Sequence, residues 1–402
     1  MAPGDPAGDT LREVVEELGA LDRRAGSSGE HRAAEWLARR MRSAGCEAEV
    51  QETHFHAGYA GLMRGLCLGG VAAGVSALAV RRLRAPAAIG AVLAGAAIAD
   101  DISNGPRLAR RLIQRREATW NVVAECGDPE AANTLVLLAH HDAAPTGAVF
   151  DDRVQAWFGD TFPGLLDRID TAFPIWWPTL AAHGLLAAGA LSRRRPAIAL
   201  GLLGAALSAA AFHDIARSPV VPGANDNLSG VAVLVALAER LRAAPPRGLR
   251  VMLVSCGAEE VLQGGIHGFA RDHFPRLDRE RTWFLNLESV GSPRLALLEG
   301  EGPVVMEDYH DRSFRDLVER CATAIGAPLR RGLRARSSTD AVIPSRAGYP
   351  TATLVSINRY KALSNYHRMT DTPANLEYAT LGQALIVAEA VARELAASSA
   401  PR

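Results

Sequence analysis

Lysine is almost absent: Lys361 is the only one in 402 residues, and every other basic side chain is arginine. With the heavy alanine content this reads as a GC-rich coding bias and carries no mechanism. Net charge is also lacking, with 44 basic against 44 acidic residues, so the electrostatic footprint of a nucleic-acid binder is missing. The five cysteines, Cys46, Cys67, Cys126, Cys256 and Cys321, are odd in number, scattered and never in a C-x-x-C pair. That supports neither a disulfide framework nor a zinc ribbon, and it leaves the redox compartment open. The first 56 residues are polar and acidic, with no charged start leading into an apolar run, so no signal peptide is expected. The length suffices for one large α/β domain with additions.

Long apolar runs are present, and they come in pairs. Tyr59 to Val80 is broken only by Arg64, and Arg81-Arg82-Leu83-Arg84 joins it to a second run, Ala85 to Ala99. Ile175 to Ser192 and Ala197 to Phe212 repeat the plan around Arg193-Arg194-Arg195. A spanning helix needs about 20 apolar residues, so the first and third runs are expected to cross a bilayer, while the second and fourth are marginal. Their Ala and Gly content suits close helix packing in lipid. Trp176 and Trp177, between Pro174 and Pro178, fit an interfacial anchor, and Phe150 to Phe173 reads as an amphipathic surface helix. Two buried hairpins in a soluble protein, or a dimerisation surface, are the alternatives.

Elsewhere helix alternates with strand. Leu11 to Leu21 and His31 to Ala44 have helical apolar spacing, with a break and N-cap at Ser27, Ser28 and Gly29. Ala48 to Phe55, Trp120 to Cys126 and Thr134 to Ala139 read as strands, the last two separated by the turn Gly127-Asp128-Pro129. Gly230 to Leu241 reads as a helix, Leu249 to Ser255 and Trp283 to Leu287 as strands, Ser313 to Ile325 as a helix, Thr351 to Ile357 as a strand and Leu381 to Ala396 as a closing helix. The expected fold is α/β, a mixed and mostly parallel sheet covered by helices on both faces.

Five short motifs sit on this frame: His140-His141-Asp142, Gly223-Ala224-Asn225-Asp226-Asn227, Gly257-Ala258-Glu259-Glu260, Asn286-Leu287-Glu288 and Tyr366-His367. His140, Glu259, Glu260 and Glu288 follow or close strands, and such sheets bind ligands outside the carboxyl ends of their strands. Zinc accepts imidazole nitrogen and carboxylate oxygen. Two histidines and three carboxylates, one shared, would give each of two zinc ions three protein ligands. A base must then take a proton from the attacking water, and two adjacent glutamates can divide ligand and base duties.

The run His140-x-Asp142, Gly223-Ala-Asn-Asp226-Asn227-x-Ser229-Gly230, Gly257-Ala-Glu259-Glu260, and Tyr366-His367 with Asp371-Thr372 resembles the co-catalytic di-zinc aminopeptidases. These are relatives of glutamate carboxypeptidase and the transferrin receptor. The resemblance covers residues 1–56, about 117–145 and 215–402, and stops at the apolar hairpins. It implies His140, Asp226 and Glu288 on one zinc and Asp226, Glu260 and His367 on the other, with Asp226 bridging. It also implies Glu259 as general base, Asp142 orienting His140, and Tyr366 donating to the oxyanion. The common form has Asp where this chain has Glu288, a position near the substrate's free amine; membrane-embedded relatives of the endoplasmic reticulum share the Glu. His141, Asp340 and Cys256 read as structural, and His213-Asp214 as a solvated helix end.

The implied organisation is a zinc peptidase domain of residues 1–56, 117–160 and 215–402, with inserted transmembrane hairpins at 57–116 and 161–214. If the strand ending at Cys126 runs antiparallel to its successor, both hairpins leave the sheet at the end that carries His140 and pack as one bundle beside the site mouth. The arginine turns inside the cell would leave the catalytic domain outside; Arg107, Arg110, Arg111, Arg115 and Arg116 weigh against this. The expected partners are a peptide substrate and the lipid bilayer. A carboxypeptidase or dipeptidase, a glutaminyl-cyclase-like acyl transferase using a single zinc, and a non-catalytic receptor or scaffold are the competing readings.

Overall fold

The computed structural model describes residues 6–171 and 174–399. Helices α1 (Pro6–Gly19) and α2 (Ser28–Ser43) lead into strand β1 (Glu47–His56), followed by α3 (Tyr59–Ala79), α4 (Arg84–Ile102) and α5 (Leu108–Ile113). The chain returns to the sheet as β2 (Arg116–Gly127) and β3 (Asn133–His140), then leaves it again as α6 (Arg153–Thr161), α7 (Pro163–Arg168), α8 (Trp177–Ser192) and α9 (Arg195–Arg217). The remainder is α10 (Ser229–Ala243), β4 (Leu249–Cys256), α11 (Gly264–His273), β5 (Thr282–Glu288), β6 (Arg294–Glu301) and β7 (Glu307–Asp308). It closes with α12 (Arg312–Ala324), β8 (Arg330–Ala335), α13 (Val342–Arg346), β9 (Thr351–Ile357) and α14 (Tyr378–Ser399).

Among the described residues the strands form one sheet in the order β1-β2-β4-β3-β5-β9-β6-β7, with β8 beside β6. β4, β3, β5 and β9 are parallel to one another. Their near-continuous apolar runs suit strands covered on both faces. Along β3, Leu135, Leu137 and Ala139 pack under α1, α2, α10 and α14, while Val136 and Leu138 pack on the other face against α11. β2 runs opposite to β3, as the turn suggests, but the two do not pair: β4 lies between them. The physical reason is burial, because β4 is apolar on both faces and is covered only in the middle of the sheet.

The expectation of no disulfide framework is corrected at one point: Cys46, just before β1, is bonded to Cys126 in β2, with Cα atoms 5.1 Å apart. The two strands pair antiparallel from Glu47 opposite Glu125, which brings the cysteines together across a sequence separation of 80. Cys67, Cys256 and Cys321 are free and buried.

The two apolar insertions pack as a single four-helix bundle, α3 against α9 and α4 against α8. Small residues line its interior, among them Ala87, Ala91, Ala182 and Ala205, while Ile89, Leu93, Leu200 and Leu207 face outward. At Gly201 a Cβ would lie 2.7 Å from the Ala182 carbonyl oxygen and from the Leu186 nitrogen, so α8 and α9 touch backbone to backbone there. Among the described residues three helices, Tyr59–Ala79, Arg81–Ile102 and Arg195–Arg217, are long and apolar enough to cross a membrane by length and composition. The expected ranking of the runs changes accordingly. The second and fourth become full-length helices because their arginine and polar ends are helical too, and the third, α8, has only 16 residues.

Phe150 to Phe173 is not one amphipathic helix. Pro163 breaks it into α6 and α7, since proline offers no N–H to continue the ladder, and Phe173 lies outside the described residues. His213 and Asp214 belong to α9, which runs five residues beyond Phe212. Asp214 Oδ2 accepts from the Ala148 N–H at 2.7 Å, tying α9 to the segment before α6.

Candidate metal centre

The candidate ligand residues of all five motifs reach one end of the sheet. His140 ends β3, Glu288 ends β5, and Glu259 and Glu260 lie in the short turn after β4. Asp226 precedes α10 in a kinked segment with a cis Asp226-Asn227 peptide. Tyr366 and His367 follow β9 on a loop. All of these ligand-type side chains are largely buried.

The spacing of their atoms is informative. His140 Nε2 lies 3.3 Å from Asp226 Oδ1 and 3.5 Å from Glu288 Oε1. His367 Nε2 lies 3.4 Å from Asp226 Oδ2 and 3.1 Å from Glu260 Oε2. Zinc bonds of about 2.0–2.1 Å at tetrahedral angles separate ligand atoms by about 3.3 Å. The two oxygens of Asp226 therefore divide between two three-ligand groups, His140-Asp226-Glu288 and Asp226-Glu260-His367. Among the described residues, buried His367 Nε2 has no hydrogen-bond partner, and a divalent cation would supply one. This donor set fits zinc. His140, Glu259 and Glu260 also meet the spacing, but Glu259 Oε1 already accepts from Gln263 Nε2 at 2.7 Å.

Electrostatics point the same way. Burial raises Glu259 well above the ordinary carboxylate range against the pull of His140, with Asp340, Glu288 and Glu260 adding to the rise. Burial also raises Glu260 and Glu288. The histidines respond in the opposite sense: burial would lower His367, but Glu260 and Asp226 lift it to about 10, and Glu288, Asp142 and Asp226 likewise lift His140. Packed carboxylates that resist ionising together make a site that attracts cations.

The shell around the ligands is built from loops. Asp142 lies 3.4 Å from His140 Nδ1, and it also accepts the Glu259 N–H at 2.9 Å and the Glu260 N–H at 3.0 Å. One carboxylate thus fixes three members of the site. Asp371 does the same for Asp226, accepting from the Asn225 and Asp226 amides at 2.7 and 3.1 Å. Phe150 stands edge-on to His367, 4.5 Å between ring centroids, and Tyr366 stacks on His367 at 3.9 Å. His141 points away, its Nδ1 2.9 Å from Ser255 Oγ. Cys256 is buried, and so is Asp340, whose carboxyl burial pushes to about 7.

Several supporting residues carry no motif. Gln263 donates to Glu259 and to the Ser338 carbonyl, and accepts from Asn104 Nδ2 at 2.7 Å. Arg107 in turn bonds Asn104 and the Leu262 carbonyl, and Arg110, paired with buried Asp101, donates to the Val261 carbonyl at 2.7 Å. The foot of the first hairpin therefore grips the turn that carries the two glutamates. Arg23, fully buried, donates to the carbonyls of His141, Leu18, Pro222 and Gly223. Glu30 accepts from the Ala258 and Gly26 amides and from Thr119. A cavity of about 200 Å³ opens from Glu288 and Tyr366 and is lined by Leu298, Leu333, Val355 and Ile357.

Residues 208–392 match the family model described as Peptidase family M28. No curated protein matches the chain. Among solved structures, the aminopeptidase from Aneurinibacillus sp. strain AM-1 superposes with a TM-score of 0.56 at 14% identity, covering 96% of this chain and 92% of that one. A zinc aminopeptidase from Bacillus subtilis gives 0.54 at 15%, covering 96% and 94%. Tannerella forsythia glutaminyl cyclase gives 0.55 at 15%, covering 96% and 98%. The fold is that of the zinc exopeptidases, and the match of residues 208–392 to Peptidase family M28 supports a metallopeptidase.

Proposed function

We propose that this protein is a membrane-anchored aminopeptidase that holds two zinc ions and hydrolyses N-terminal peptide bonds. The observation that carries the reading is the division of the Asp226 oxygens between His140 and His367, each group completed by a further carboxylate. Zinc held there would polarise the scissile carbonyl and lower the pKa of an attacking water. Glu259, held by Gln263 beside the candidate ligands, takes the proton from that water and returns it to the leaving amine. Gln263 aims its carboxylate, and Asp142 holds the backbone on which it turns. Tyr366, beside His367, donates to the developing oxyanion. Glu288 borders the apolar cavity, where its carboxylate also faces the free amine of an N-terminal residue.

The catalytic unit is residues 1–56, 117–160 and 215–402, and the bundle formed by 57–116 and 161–214 crosses the bilayer. The helix lengths support this, since α3 with 21 residues and α9 with 23 exceed the span of roughly 30 Å at about 1.5 Å per residue. The Cys46–Cys126 bond belongs to an oxidising compartment, and with the arginine turns on the cytoplasmic side it supports a catalytic domain outside the cell.

The test is a panel of free, N-blocked and C-blocked peptides given to the purified chain and to Glu259→Gln. Cleavage of free and C-blocked peptides only, lost in the variant while zinc content holds, is expected. Cleavage of N-blocked peptides would mark a carboxypeptidase, pyroglutamate formation from N-terminal glutamine a cyclase, and no turnover a receptor.

A further inference from the structure

A second cavity, separate from the metal centre, lies where the first hairpin joins the sheet. It has a volume of about 560 Å³ and is lined by Arg107, Arg110, Arg111, Arg116 and the histidines His54, His56 and His267. Val261 and Gly264, which follow Glu259 and Glu260 in the chain, also line it. Cationic crowding without acids is its character. Arg110 is the one arginine of the four with a carboxylate partner, Asp101; Arg111 and Arg116 have no ion pair among the described residues. Among the described residues Arg107 is bonded by neutral oxygens of Asn104 and Leu262 alone, and its buried Nε has no partner. Burial, then Arg107, Arg111, Arg346 and Arg110, push His267 down to about 3, so it stands neutral among guanidinium groups. Burial with Arg116, Arg110, Arg111 and Arg107 lowers His56 in the same way.

The rim supplies a second observation. Helix α5, which carries Arg110 and Arg111, shows Leu108, Leu112 and Ile113 to the outside, 62, 85 and 64% exposed. An apolar ridge beside an arginine-lined cavity, at the foot of a bundle long enough to span a bilayer, has the two chemistries of a phospholipid in the right order. Guanidinium groups bind phosphate by paired hydrogen bonds, and leucine and isoleucine enter the acyl boundary.

We propose that this cavity binds a phosphate diester, the headgroup of an anionic phospholipid such as phosphatidylglycerol, with its acyl chains lying along α5. The assignment rests on the membrane reading above. A choline headgroup is disfavoured, because its ammonium would add a cation among four arginines, whereas a glycerol headgroup adds only hydroxyls. The ligand would also touch Arg107, from which hydrogen bonds run through Asn104 and Gln263 to Glu259.

The experiment uses the full chain in neutral maltoside detergent, titrated with short-chain phosphatidylglycerol, the matching phosphatidylcholine, or inorganic phosphate. Melting temperature and native mass spectrometry are the readouts. Arg111 and Arg116 are exposed and outside the catalytic machinery, so Arg111→Gln with Arg116→Gln is the variant. Phosphatidylglycerol is expected to bind saturably and raise the melting temperature, phosphatidylcholine to bind at least tenfold more weakly, and the double variant to lose at least tenfold in affinity for phosphatidylglycerol. Equal binding of both lipids, or unchanged binding by the variant, overturns the proposal. Inorganic phosphate matching phosphatidylglycerol in affinity overturns the lipid assignment in favour of a free-anion site. Carbonate extraction of membranes, run alongside, separates the two readings: a chain that washes off the membrane sinks the membrane reading, whereas one retained without arginine-dependent binding sinks this proposal alone.

Discussion

Gln263→Met is the substitution that asks most of the site's architecture. Methionine keeps the length and volume of the side chain but removes both amide hydrogens, one of which reaches Glu259 Oε1 at 2.7 Å and the other the Ser338 carbonyl at 2.9 Å. A hydrogen bond to a charged group contributes roughly 1.5–3 kcal/mol. In the proposed reaction this bond aims the Glu259 carboxylate as it takes the proton, so the loss would fall on the transition state. At about 1.4 kcal/mol per factor of ten, kcat should fall about 10- to 150-fold. KM should hold within about twofold, because Gln263 lies behind Glu259, away from the substrate cavity. Steady-state kinetics on a C-blocked peptide, with metal analysis and a melting curve on the same preparation, makes the measurement. An unchanged kcat would refute the positioning argument, and so would a loss that tracks zinc content.

Chelation should destabilise the protein, since Asp226, Glu259, Glu260 and Glu288 are buried together; restoring zinc to about 1,000 times its Kd should return about 4 kcal/mol per site, read as a rise in melting temperature. A chelated chain that melts unchanged would contradict the fit of this donor set to metal. Cys46→Ser with Cys126→Ser should cost about 2–4 kcal/mol, measured by denaturant unfolding of the solubilised chain, and thiol labelling of both cysteines in the native protein would contradict the bond. Burial pushes the Glu301 carboxyl from its ordinary 4.5 to about 8, so the folded state holds a proton that the unfolded chain releases. The resulting stability is complete below pH 4.5 and is lost as pH rises through about 8. Glu301→Gln, neutral throughout, should therefore melt with a flatter pH dependence between pH 6 and 9 than the native chain, and parallel curves would count against this account.

The convergence of the candidate ligand motifs was legible in sequence because the central strands are apolar enough to be placed, and a residue at the end of a parallel strand reaches that end of the sheet whatever the loops do. His140 and Glu288 are of this kind. The supporting residues were hidden for the opposite reason: Gln263 and Asn104 act from loop positions with φ of 60° and 54°, and nothing in the local pattern foretells where such a side chain points. Arg23 and Glu30 look like solvent-exposed charges in sequence, yet both are buried because backbone carbonyls or amides surround them.

Missed elements have similar causes. α11 opens on Gly264 and Gly265, poor helix formers, but a Cβ at Gly265 would lie 2.3 Å from the Gly257 carbonyl oxygen, so close approach to the Glu259 turn outweighs propensity. β8 is rich in arginine and lacks alternation; it forms beside β6, where Arg331 finds Glu299 at 2.7 Å. The disulfide was invisible because its partners are 80 residues apart and become neighbours only through the pairing of β1 with β2.

The central claim is two metal ions sharing Asp226. Zinc anomalous diffraction from the full chain tests it most directly: two peaks about 3.5–4 Å apart, one between His140 and Glu288 and one between Glu260 and His367, with Asp226 between them, are the predicted result. A single peak, or peaks away from these five side chains, would contradict it.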